Sequence, residues 1–63
     1  MKVKELSEVR IERGYSIEDA ASRMGIGSLA LREYETDPSI VPVSIACLLA
    51  NFYRVSIDNV NFK

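Results

Sequence analysis

Apolar residues at Ile17, Ala20, Ala21 and Met24 fall at i, i+3, i+4 and i+7, and Gly25 follows at once. That spacing predicts a helix with a single buried face. A glycine directly after the last turn marks the place where a helix end adopts left-handed angles, which a Cβ disfavours. Ile26 supplies the hydrophobic contact just past such an end. Leu31 and Tyr34 resume an inward stripe, so residues 16–36 read as two short amphipathic helices joined by a tight turn. Ala21 is small where those two helices must cross closely.

The flanking segments complete a helical pattern. A first helix is predicted over residues 3–13, with Leu6, Val9 and Val3 inward and Lys2, Lys4, Glu5, Glu8 and Glu12 solvated. Arg13-Gly14 closes it, with the cation at the negative end of the dipole. Ser16 is the expected N-cap of the second helix, with Asp19 at the capping-box position. The third helix starts at Gly27 or Ser28 and runs to Thr36, where Thr36-Asp37-Pro38-Ser39 signals a turn. Pro42 suits the first turn of a fourth helix. Residues 43–53 of that helix are almost continuously apolar, a pattern of burial or of contact with something outside the domain. Cys47, within it, is expected to be inert packing. Ser56 is expected to cap a short fifth helix, with Val60 and Phe62 folding back on the core.

Composition narrows the function classes. Sixty-three residues make one domain, and a chain of that size buries only about 60% of its unfolded surface. One cysteine cannot form an internal disulfide. The chain has no His, hence no zinc-type ligand set and no general base poised near neutrality. Neither enzymatic activity, nor a metal, nor a cofactor is expected. There is no secretory segment and no apolar run of about 18 residues. The expectation is a cytoplasmic protein without membrane contact, stabilised by dense helix packing or oligomerisation.

The residues Val9-Arg10, Arg13-Gly14-Tyr15-Ser16, Ala21, Gly25, Ile26, Leu31, Tyr34 and Glu35, with Val55-Ser56-Ile57-Asp58 later, together resemble the Cro/C1-type (XRE-like) helix-turn-helix family of DNA-binding regulators. The resemblance runs from Leu6 to Phe62. It implies an all-α, compact five-helix bundle of the lambda-repressor-like type, with a central helix-turn-helix braced by the first, fourth and fifth helices. It also implies a partly buried ion pair between Arg10 and Glu35, tying the first helix to the end of the third. The chain looks like the phage or mobile-element repressors that consist of little more than this domain. With no second domain for sensing, repression is the expected sign.

In the resembled family the outward face of the third helix enters the major groove of double-stranded DNA. Here that face carries Ser28, Leu29, Arg32, Glu33 and Thr36, with Gly27 at its edge. Arg32 suits bidentate bonding to guanine O6 and N7, Leu29 a thymine methyl, and Glu33 cytosine N4. Ser28 suits a phosphate or base edge, and Thr36 the backbone. Ser16 and the N-terminus of the second helix suit a phosphate. Ile17 departs from the family, which commonly places Gln there to bond a phosphate; its bland reading is core. Lys2, Lys4, Arg13 and Arg23 are candidates for flanking phosphates. Phe52, Tyr53, Val55, Ile57, Val60 and Phe62 exceed the needs of a small core; some are expected to pack inside, and Phe52, Tyr53, Val55 and Ile57 suit a homodimer contact, which would set two reading helices about 34 Å apart.

Charge argues the other way. Residues 16–40 hold Arg23 and Arg32 against Glu18, Asp19, Glu33, Glu35 and Asp37, making the DNA-reading segment the most acidic part of a chain of net charge −1. Phosphate neutralisation by Lys and Arg supplies most non-specific affinity for DNA. A protein-interaction module on the same scaffold, such as an anti-repressor, is therefore the rival reading, with a protein as partner.

Overall fold

The structure, a computed structural model, describes residues 3–62. Four α-helices follow in order: α1 (Leu6–Glu12), α2 (Ile17–Met24), α3 (Ser28–Thr36) and α4 (Val43–Tyr53). Two 3-10 turns accompany them, Pro38–Ile40 between α3 and α4 and Ile57–Asn59 after α4. The described residues contain no strand, and a single parallel bridge pairs Lys4 with Val60. Among them, no helix is long and apolar enough to cross a membrane.

The all-α class holds, but the fifth helix is corrected to one 3-10 turn. The Ser56 hydroxyl does accept from the Asp58 N–H at 3.3 Å. The chain then turns extended at Val60, whose neighbours are held by the bridge: the Lys4 N–H donates to the Asn59 carbonyl and the Asn61 N–H to the Lys4 carbonyl, each at 2.9 Å. The same pairing shortens the first helix, which begins at Leu6 and leaves Val3 exposed. The Glu8 carboxylate accepts from the Glu5 N–H at that start.

The core joins Leu6 and Val9 of α1, Ala20 and Ala21 of α2, Leu31 of α3, Leu49 and Tyr53 of α4, and Val60. The two alanines of α2 and Leu31 of α3 are buried, so the α2 side of the crossing is made of small side chains. Ser16 caps α2 as expected, its hydroxyl accepting from the Asp19 N–H at 3.0 Å. Asp19 itself pairs with Arg23. At the other end Gly25 takes φ 75°. The Ile26 N–H reaches the Ala21 carbonyl and the Gly25 N–H the Ser22 carbonyl, the two bonds of a Schellman cap. The same pair of bonds closes α4, with Arg54 in the left-handed position at φ 59°.

Only one side of α4 is buried, through Ala46, Leu49, Ala50 and Tyr53. Val43 is 79% exposed, and Cys47 is exposed too, which corrects its reading as core packing. Three other helices on one side cannot cover an eleven-residue helix all round. Two residues expected at a dimer contact also move inward. Tyr53 is 1% exposed. Phe52 packs its ring against Tyr15 and Tyr53, with centroids 5.0 and 5.2 Å apart. Val55 packs at the core edge, and Ile57 remains exposed.

Candidate nucleic-acid interface

The crossing of α2 and α3 fixes which side of α3 meets water. Leu31 points inward, with Ala30, Tyr34 and Glu35 partly buried, while Ser28, Leu29, Arg32, Glu33 and Thr36 are all exposed. The five predicted residues thus share one open face, beginning at the N-cap Gly27. A shallow groove of about 300 Å³ runs along its C-terminal half, lined by Arg32, Glu33, Thr36, Asp37 and Ile40. The Thr36 hydroxyl donates to the Arg32 carbonyl at 2.9 Å.

The start of α2 lies beside this face, because Arg32 Nη2 stands 3.7 Å from Glu18 Oε2. Ser16, at the N-cap, is exposed. Ile17 packs against the core, so its side chain offers nothing to a phosphate. The N–H groups of Ile17 and Glu18 precede the first intrahelical bond and remain as donors at the positive end of α2.

Behind the face, Arg10 and Glu35 form the expected ion pair. Nε donates to Oε2 at 2.8 Å and Nη2 to Oε1 at 3.3 Å, with side chains 13% and 10% exposed. Arg10 Nη1 also donates to the Tyr15 carbonyl at 2.8 Å. The Glu35 hydrogen bond holds the Arg10 guanidinium above its ordinary pKa, against the lowering effect of burial. Arg10 is therefore committed to α1, the α1–α2 turn and α3 together.

Most cations proposed for flanking phosphates are committed elsewhere. Lys4 bonds both oxygens of the Glu12 carboxylate. Arg13 Nε donates to the Tyr53 carbonyl at the end of α4 at 2.8 Å. Arg23 bonds Asp19 at 3.1 Å, and its guanidinium lies 5.7 Å from the Tyr15 ring centroid. Lys2 lies outside the described residues. Arg10, from outside residues 16–40, reduces the acidity of that segment by neutralising Glu35; Arg23 faces Asp19 and Arg32 faces Glu18, and Glu33 and Asp37 remain. Asp37 is occupied in turn, accepting from the Ser39 N–H and hydroxyl. The Glu18–Arg32 contact escaped the sequence reading, since it spans two helices and no local spacing carries it.

A family model described as helix-turn-helix matches residues 6–60. No curated protein and no solved structure matches the chain.

Proposed function

Since the chain belongs to the Cro/C1-type helix-turn-helix family of DNA-binding regulators, we propose that it is a sequence-specific repressor that lays α3 in the major groove. The observation that carries this reading is the open face of Ser28, Leu29, Arg32, Glu33 and Thr36 on a helix locked from behind by Leu31 and the Arg10–Glu35 pair. Arg32 reads guanine, Leu29 meets a thymine methyl, and Ser28 and Thr36 reach base edge or backbone. The Ile17 and Glu18 N–H groups, with Ser16, take a phosphate in place of a side-chain donor. The protein acts in the cytoplasm as a homodimer on a palindromic operator, with exposed Ile57 and neighbouring Val55 at the two-fold contact, and it represses by excluding RNA polymerase.

Selection of duplexes from a random pool, followed by a salt titration, tests this reading. A reader of DNA yields a consensus with two inverted half-sites. Its affinity falls with salt at a log-log slope of about −0.9 per phosphate contacted. A second reading, a protein-binding module, draws on Leu29 at 69% exposure beside Glu33, an exposed carboxylate. Failure to retard any duplex at low salt would favour it.

A further inference from the structure

We propose that Glu18 is a specificity residue, its carboxylate holding the Arg32 guanidinium in the plane that reads guanine. The inference rests on α3 being the DNA-facing helix. Glu18 rises from the first turn of α2 and Arg32 from the middle of α3, and their charged ends stand 3.7 Å apart. Guanidinium offers five N–H donors in a rigid plane. Bidentate bonding to O6 and N7 of guanine uses two of them, which leaves an edge for a carboxylate. At 3.7 Å the carboxylate acts as a nearby opposite charge, favouring rotamers that keep the guanidinium beside it, so a long side chain has fewer of them to give up on binding.

Folding stability does not account for the pair. The side chains are 62% and 72% exposed, and exposed ion pairs add little to stability. Nor does general affinity account for it, because a carboxylate beside a duplex repels phosphates whatever the sequence. A group that weakens binding to every duplex while orienting the reader of one base shifts the balance toward discrimination. The neighbouring groups do not compete for the role. Arg23 is taken by Asp19. Glu33 adjoins Arg32 in sequence, and side chains at i and i+1 do not face each other on a helix.

The test compares the intact protein with E18Q, R32A and the double variant. The probes are a pool-selected duplex and the same duplex with the guanine opposite Arg32 replaced, at one fixed salt concentration. E18Q is expected to bind non-cognate duplex several-fold tighter, while its preference for guanine falls about three- to tenfold. The double variant is expected to discriminate no worse than R32A alone, because the carboxylate acts only through the arginine. An unchanged guanine preference in E18Q, or an equal gain on both duplexes, would overturn the proposal while leaving R32A's loss of preference, and so the α3 reading, intact. If R32A itself keeps the base preference, or the intact protein selects no duplex, both fall together. Thermal melts of E18Q that match the parent exclude misfolding as the cause.

Discussion

The Tyr53 hydroxyl is buried without a hydrogen-bond partner. Burial, helped by the Glu35 charge, pushes its pKa up to about 12. The unfolded chain gives up this proton near the ordinary value of about 10, so above that pH the unfolded state binds fewer protons than the native one. Stability is therefore intact below pH 10 and falls between pH 10 and about 12, by up to about 1.4 kcal/mol per pH unit. Tyr53→Phe is expected to flatten that slope in urea titrations. At neutral pH the variant should equal the parent or exceed it by about 1 kcal/mol, since no bond is lost and an unpaired dipole leaves the core. Nothing in the sequence announced this burial. A tyrosine at the end of an apolar helix reads equally well as rim or as core, and only the packing of Tyr15 and Phe52 around it decides. Cys47 went the other way for a related reason, because an uncharged helix does not tell which of its sides lacks a neighbour. A thiol reagent such as dithionitrobenzoate is expected to label Cys47 fully in the folded protein without denaturant, whereas a buried thiol would label only on unfolding.

At the scale of the element, α2 was legible to the residue. Cap, stripe and terminal glycine all lie within ten positions and agree with one another. The first and fifth helices were not, because their ends are set by the pairing of Lys4 with Val60, an interaction across most of the chain that leaves no local mark. The two Schellman caps make a matched pair for experiment. A Cβ at Gly25 would meet nothing within 4 Å, so Gly25→Ala carries a purely conformational penalty, about 1–2 kcal/mol. Arg54 bears that penalty already at φ 59°. Arg54→Gly is therefore expected to stabilise by roughly 0.5–1 kcal/mol after the added freedom of the unfolded chain is subtracted. Paired thermal melts should show opposite signs. Equal signs would mean that cap geometry does not govern these ends.

For the molecule as a whole, a chain of this length has about 3–9 kcal/mol of stability to lose. Breaking a mostly buried ion pair from one side costs about 3–5 kcal/mol. Arg10→Ala is thus expected to bring the domain near its unfolding midpoint at 25 °C, seen as partial loss of helical circular dichroism, and to weaken DNA binding only in proportion to the unfolded fraction. A variant that stays fully folded yet loses binding would assign Arg10 to the interface instead. The resemblance carried this pair and the open face of α3 from sequence to structure unchanged, since both depend on helix phase. The face's true charge was not fully legible, because the Glu18–Arg32 bridge joins residues from two helices and no local spacing announces it. The bridge between Lys4 and Val60 has one more consequence. Paired strand positions lie about 4.8 Å apart, so the two extremities of the described fold are neighbours. A few glycines could splice them, and the ring could be reopened at the exposed Ser39. Such a circular permutant should keep all four helices and the orientation of the reading face, because only the order of connection would differ.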